Sequence, residues 1–335
     1  MNTVQFCVGI DVSKDSLECS YGLYSEFGEL QFSKVQKFTN DLKGFKKLLE
    51  WLKKKKDPAE IFFVMEATGV YYENLAYWLQ ERDFYLSVVL PNKVNYFAKS
   101  HNIKTKTDSV DAKLLCRMGL ERKLDHWEIP SLQMRTLKIL TRDYRSLKAK
   151  LTMTKNQLHA KDNSHKCPPT VGKRLKQQIQ LLEKQISQVE SEIKLVVRKD
   201  SILDERIRKM ETIPGVGFMT IACILGETNA FALVRNSKQL VSYCGFDIQH
   251  RQSGLYAGKT TISKKGNSFI RSALYMPALS SLQHNPNLKI FYNRLSEKKS
   301  IKKIAVTAVA RKLLVLIYTI WKNGSEYNPD YLFSD

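Results

Sequence analysis

Four carboxylates in the first third of the chain have the types and spacing of a hard-metal site. Asp11 closes the apolar run Val8-Gly9-Ile10, and Glu66 closes Ile61–Met65 ahead of Ala67-Thr68-Gly69. An acid at the C-terminal end of a buried strand is costly to desolvate, so a cation or a hydrogen-bond donor normally stands beside it. Two strands ending this way bring their acids to one edge of a sheet. Asp108 and Asp111 sit in Lys104-Thr105-Lys106-Thr107-Asp108-Ser109-Val110-Asp111-Ala112. Thr107 is the expected N-cap, and a spacing of three sets both carboxylates on one face of a helix's first turn. Oxygen donors without histidine or cysteine suit Mg²⁺ or Mn²⁺. Paired ions of that kind, about 3.5–4 Å apart, activate an attacking oxygen and steady a leaving oxygen at phosphorus. Singly, each acid has a plainer use: Asp108 and Asp111 complement a helix dipole, and Asp11 caps a turn with Ser13. As a set, Asp11, Glu66, Asp108 and Asp111 are the expected metal ligands and catalytic acids.

Two glycine-punctuated segments carry the other candidates. Glu211-Thr212-Ile213-Pro214-Gly215-Val216-Gly217-Phe218 resembles the turn of a helix-hairpin-helix element. There Gly215 and Gly217 let the backbone approach a phosphate, and the next helix offers its amides. A tight helix-helix turn with no ligand explains the same residues. Further on, Ser253 precedes Gly254 in a stretch flanked by Arg251, Lys259, Lys264, Lys265 and Arg271. Such cations would stabilise an alkoxide and a phosphorane. By its residues alone, however, Ser-Gly is ordinary turn chemistry.

The elements that must position these groups fall into three blocks. Residues 1–128 alternate strand and helix signals: apolar runs at Val4–Ile10, Leu17–Tyr24 and Leu30–Val35, then an amphipathic helix through Leu42–Leu52 capped by Asn40. A strand at Ile61–Met65, a helix at Tyr72–Glu81 and a strand at Phe84–Leu90 stopped by Pro91 follow. This predicts an α/β sheet of RNase H-like (RuvC-like) element order, with parallel crossovers in its second half. Residues 129–204 step apolar positions by three and four: Leu137, Leu140, Tyr144, Leu147 and Leu151, then, past Pro168-Pro169, Leu175, Ile179, Leu182, Ile186 and Val189. That spacing predicts a coiled-coil hairpin whose seams serve its own packing, dimerisation, or both. Residues 205–335 read as mainly helical, with a last helix at Ile301–Trp321 closed by Asn323-Gly324.

The charge balance narrows the partners. Lys and Arg number 54 against 33 Asp and Glu, a net charge of +21 over 335 residues, which favours a polyanion. Acidic lipid would attract the same charge. Against a membrane, the N-terminus reaches Asp11 before a signal-like core forms, and the apolar stretch Leu313–Trp321 falls short of the roughly 20 residues a span needs. The six scattered cysteines, with no C-x-x-C pair, argue against structural zinc and a disulfide framework, so the expected location is the cytoplasm, in contact with the nucleoid.

The motif series G-I-D-V-S-K, M-E-A-T-G-V-Y, K-T-D-S-V-D-A, I-P-G-V-G, Q-S-G, I-S-K-K-G-N and I-R-S-A-L resembles that of the IS110-type transposases, related to the Piv DNA invertases. The match runs in order from about Val8 to Gly324. The resemblance implies a RuvC-like DEDD domain over 1–128, a coiled-coil linker over 129–204 and a C-terminal transposase domain over 205–335. It maps the DEDD tetrad onto Asp11, Glu66, Asp108 and Asp111 and the serine nucleophile onto Ser253. It also implies Mg²⁺, donor and target DNA, a structured bridge RNA, and dimers that pair into a tetramer. The rival expectations are a RuvC-like nuclease hydrolysing DNA with metal-activated water, and a nucleic-acid scaffold without catalysis.

Overall fold

A computed structural model describes residues 6–102, 107–249, 252–253, 256–258, 260–298 and 301–329. The chain divides into two compact units, 1–129 and 130–335.

The first unit is built on a mixed sheet. Strands β1 (Phe6–Val12), β2 (Ser16–Tyr24), β3 (Leu30–Phe32) and β4 (Gln36–Thr39) form the antiparallel half, in which β3 and β4 pair with opposite ends of β2. After helix α1 (Leu42–Lys53), strand β5 (Phe62–Glu66) returns parallel to β1. Helix α2 (Glu73–Gln80) then leads to β6 (Tyr85–Val89), parallel to β5, giving the order β3-β2-β1-β5-β6. Helices α3 (Pro91–Ser100) and α4 (Asp108–Glu121) complete the unit.

Alternation along the strands assigns each residue to a face. Val8, Ile10, Phe63 and Met65 point to a core shared with Phe45, Leu48, Leu75 and Leu79 of α1 and α2. Cys7, Phe62 and Val64 point the other way, to Val94 and Phe97 of α3 and Leu114 and Leu115 of α4. The same alternation carries Asp11 and Glu66 to the α4 face.

Two sequence readings of this unit are corrected and a third is extended. The run Leu30–Val35 is a strand only to Phe32, and β4 follows it, because β2 is long enough to pair with both. Asp41, not Asn40, caps α1, accepting from Gly44 N–H at 2.7 Å. Pro91 stops β6 by opening a new helix, where its missing N–H and fixed φ cost nothing at the first position.

The second unit begins with an antiparallel pair, α5 (Leu132–Asp162) and α6 (Pro169–Arg198). Their direction follows from cross-contacts: Gln133 Nε2 donates to Val196 O at 3.1 Å, and Lys155 pairs with Glu183 at 2.8 Å. Then come α7 (Ser201–Glu211), α8 (Phe218–Thr228) and α9 (Ser237–Tyr243). Four two-residue strands follow: β7 (Ile248–Gln249), β8 (Gln252–Ser253), β9 (Tyr256–Ala257) and β10 (Thr261–Ile262). Helices α10 (Ser268–Ala273), α11 (Tyr275–His284), α12 (Pro286–Lys298) and α13 (Lys302–Asn323) end the unit. One core runs from Leu137, Leu147 and Ile193 through Ile221, Leu225 and Ile270 to Leu313 and Ile317.

Helix α13 revises the reading of Leu313–Trp321 as a short apolar stretch. It is 22 residues long, and by length and composition it is apolar enough to cross a membrane. Half of its apolar window is buried inside the protein, where Val309, Leu313, Leu314 and Ile317 fill the core. The same composition suits a central core helix.

Candidate nucleic-acid-processing site

Helix α4 is laid onto β1 by the absence of side chains. A Cβ at Gly9 would lie 2.1 Å from Ala112 O and 2.2 Å from Cys116 N, and one at Gly119 would lie 2.4 Å from Cys7 Sγ. Cys116 Sγ donates to Cys7 O at 3.1 Å. Ascending β1 from Cys7 to Gly9 therefore means descending α4 from Gly119 to Ala112. One further step brings Asp11 to the helix's first turn, which carries Asp108 and Asp111. Thr107 caps that turn, its side chain accepting from Val110 N–H. Glu66 enters from the neighbouring strand, since Ile10 is level with Met65 in the parallel register.

The electrostatics report the same convergence. Asp11 holds its proton up to about pH 6, against an ordinary value of 3.8. Burial is the largest cause, followed by the charges of Asp111, Asp108, Glu66 and Glu18. Glu18 was not singled out in the sequence; it lies opposite Asp11 in the β1–β2 ladder and pairs with Lys37 at 3.5 Å. Among the described residues no three Asp, Glu, His or Cys side chains close on a point as a ready-made metal cage. The acids share a field of negative charge, which is the condition a hard cation relieves. By donor type and by the repulsion felt at Asp11, the four residues fit a divalent ion.

Asn40 contributes by bracing the two acid-bearing loops. Its Nδ2 donates to Ser13 O at 2.9 Å and Tyr71 O at 3.0 Å, tying the loop after Asp11 to the loop after Glu66. Ser13 binds Ser16 rather than Asp11, so the sequence alternative of a turn capped by Asp11 and Ser13 gains no support from its contacts. Thr68 Oγ1 donates to Glu66 Oε1 at 3.1 Å.

Ser253 lies in the second unit, exposed, on a short ribbon. Strand β8 pairs with β9, Ser253 opposite Tyr256, and β7 pairs with β10 at the base. Arg251 and Lys259 lie outside the described residues. Lys264 and Lys265 are exposed where the ribbon returns. Arg271 is committed to holding the backbone: its Nη1 donates to Cys244 O at 2.7 Å and Gly266 O at 3.0 Å.

That return loop is anchored by a carboxylate that sequence reasoning missed. Glu227, buried to 1% exposure, takes both forks of Arg142, Nε at 2.6 Å and Nη2 at 3.0 Å. Asn267 Nδ2 donates to the same carboxylate at 2.7 Å, while Asn267 Oδ1 caps α10 by accepting from Phe269 and Ile270. Tyr243 Oη donates to Glu227 O at 2.8 Å. The guanidinium groups of Arg142 and Arg145 both lie over the Phe269 ring. The available signal was one acid at the end of the apolar helix segment Ile221–Thr228, where a buried charge demands a partner.

The glycines of the helix-hairpin-helix-like turn divide. Gly215 has φ +92° and packs so closely on Ser281 that a Cβ would lie 2.7 Å from its backbone nitrogen. Turn and packing thus account for it. Gly217 opens α8 with free space around it, but a hydrogen bond already links Phe218 N–H to the carboxylate of Glu211.

The chain matches a transposase family model over residues 8–161 and the Transposase IS116/IS110/IS902 family model over residues 207–293. The first match contains all four acids and the second contains Ser253. Over 324 residues the chain is 28% identical to the pilin gene-inverting protein of Moraxella bovis, covering 96% of this chain and 97% of that protein. It is 28% identical over 327 residues to the pilin gene-inverting protein of Moraxella lacunata, with coverage of 96% and 97%. The transposase for insertion sequence element IS1111A of Coxiella burnetii is 25% identical over 146 residues, 42% of this chain and 39% of the relative.

Proposed function

We propose that this chain, which belongs to the IS110-type transposase family, cuts and rejoins DNA through a site with two halves, the four carboxylates and Ser253. An enzyme of DNA recombination is the coarse conclusion, and a composite transesterification site is the finer one. The observation that carries it is the field of acids around Asp11, whose proton is retained to about pH 6 by burial and by three neighbouring candidate ligands.

In this reading the first unit is an RNase H-like (RuvC-like) domain, α5 and α6 form a coiled coil, and residues 205–335 present the nucleophile. Asp11, Glu66, Asp108 and Asp111 would hold Mg²⁺ or Mn²⁺, which when bound supplies positive charge that acidifies an attacking oxygen and offsets charge on the phosphate. Asn40 and Gly9 keep the acids level. The Ser253 hydroxyl attacks phosphorus: an Oγ–P bond forms, the bond from phosphorus to one sugar oxygen breaks, the serine proton passes to a base, and the leaving alkoxide takes up a proton. One P–O bond replaces another, so a strand hydroxyl can later displace the serine and reseal the DNA. Lys264 and Lys265 supply positive charge on the nucleophile's side. The family resemblance adds a bridge RNA pairing with donor and target DNA, and dimers that join as a tetramer in which one protomer's acids meet another's serine.

The acids and the serine belong to different compact units, which keeps a second reading in play. In it, water hydrolyses the phosphodiester at the acid site and Ser253 is a bystander. Ser253→Ala separates the two. Loss of strand exchange and of any covalent protein–DNA species supports the serine mechanism, whereas undiminished strand exchange leaves the water mechanism standing.

A further inference from the structure

The far end of the α5–α6 hairpin carries a feature that the composite site does not use. Where α5 ends and α6 begins there is an open groove of about 730 Å³. Lys161, Lys166, Lys173 and Lys176 line it, and Asp162 is its sole lining acid. Across the whole tip, from Lys155 to Gln180, six Lys and Arg accompany that one acid. Among the described residues none of the four groove lysines is engaged in an ion pair. The carbonyls at the end of α5 are partly covered from within: Asn163 Nδ2 donates to His159 O at 2.7 Å, and Ser164 Oγ donates to Lys161 O at 2.9 Å.

Cation without counter-ion selects the occupant. A second copy of this tip would bring lysine against lysine, so self-association is opposed here. An apolar partner has little to bury, since the groove is lined mainly by lysine, glutamine, serine and proline. A polyanionic backbone meets the charge and releases counterions as it binds. The tip also stands well away from the nucleophile's anchor. Arg142, which holds the Asn267 loop through Glu227, lies 20 residues before Asp162 on one continuous helix. At 1.5 Å per residue that is roughly 30 Å, or about nine base pairs of duplex at 3.4 Å each.

We infer that the hairpin tip is a sequence-independent clamp for the backbone of duplex DNA flanking the site of strand exchange. The inference rests on the DNA-processing reading and adds a surface to it. Lys161, Lys166, Lys173 and Lys176 contact phosphates, fixing the path of the flank without reading bases.

The test uses the full-length chain, with Lys161, Lys166, Lys173 and Lys176 changed together to Gln. A control changes Lys46, Lys47 and Lys53 of α1 and Lys54 just after it to Gln, which lowers net charge equally at an exposed surface. Affinity for a duplex of about 40 base pairs and for a structured RNA of equal length is measured across a salt series. The tip variant should bind the duplex roughly tenfold more weakly and flatten its log–log salt slope by about two to four. The control should move much less, and thermal melting and oligomeric mass should not change. Undiminished duplex binding, a loss no greater than the control's, a loss confined to RNA, or a changed oligomeric mass would each overturn the clamp. Failure of the DNA-processing reading looks different: the unaltered chain would still bind duplex through its charge but would neither cut nor join it in Mg²⁺.

Discussion

The two halves of the proposed site are built in opposite ways. Two of the acids, Asp11 and Glu66, stand at the ends of strands next to the fully buried Ile10 and Met65, and the other two, Asp108 and Asp111, stand on the first turn of a helix seated at backbone contact distance by Gly9 and Gly119. The serine stands on a ribbon of two-residue strands, exposed, and its return loop is held by the Arg142–Glu227–Asn267 anchor together with Arg271. The contrast teaches where each kind of group can be afforded. Like charges must be held together against repulsion, which takes a rigid scaffold. A neutral hydroxyl carries no such strain and can be displayed at the surface, where a bulky duplex reaches it.

The comparison breaks most sharply at the acids. Asp11→Asn keeps the size of the side chain and removes a charge and a ligand, so metal-dependent DNA cleavage should fall by about a thousandfold or more. A quenched-substrate cleavage assay at saturating Mg²⁺ reads this directly, and cleavage within a few fold of the unaltered chain would mean that Asp11 holds no ion.

Gly9→Ala tests rigidity instead of chemistry. The new methyl would meet Ala112 O and Cys116 N, backbone atoms that cannot turn aside. We expect a stability loss of about 3 kcal/mol or more, near the upper end for an overpacked site, measured by urea unfolding. An unchanged midpoint would show that α4 is not seated as described.

On the serine side the anchor should fail asymmetrically. Arg142→Ala strands a carboxylate at 1% exposure with only Asn267 left to it, a loss of about 3 kcal/mol. Glu227→Gln leaves an arginine that is 42% exposed and can turn to water, so it should cost less. Equal losses, compared by denaturant melts, would argue against burial as the reason.

The smallest effect is a pH dependence. Asp11 keeps its proton to about pH 6 folded but only to about 3.8 unfolded, so the folded chain binds more protons between those values. Its contribution to stability is therefore greatest below about 3.8 and is lost as pH rises through 6. Metal-free melting temperature, followed from pH 4 to pH 7, should fall more steeply for the unaltered chain than for Asp11→Asn. Added Mg²⁺ should raise it at pH 7 and do little at pH 4.5.

The acid half was far more legible in sequence than the serine half, for physical reasons. Strand periodicity and the N-cap at Thr107 are local signals, and together they place Asp11, Glu66, Asp108 and Asp111 on one face once the sheet order is drawn. Glu18 escaped because its relevance comes from an antiparallel partner across a turn, and β4 escaped because its four residues are largely exposed. The helical hairpin was evident from the spacing of Leu137, Leu147, Ile186 and Val189. The Arg142–Glu227–Asn267 network was not, since it joins positions 85 and 40 residues apart that no local pattern links. Ser253 carried almost no local signal, being one hydroxyl beside a glycine, and family resemblance was needed to raise it. Gly215 reads as a phosphate-binding glycine in sequence, yet its close packing on Ser281 supplies a sufficient reason for it.

The central claim is that metal-binding acids serve a protein nucleophile instead of water. The direct measurement is to incubate the chain with DNA carrying its own element ends and Mg²⁺, denature, digest, and search by mass spectrometry for a nucleotide-bearing peptide. The account predicts a phosphodiester link on Ser253, absent in Ser253→Ala and absent in Asp11→Asn. DNA cut efficiently with free ends only, in the unaltered chain and in Ser253→Ala alike, would contradict it.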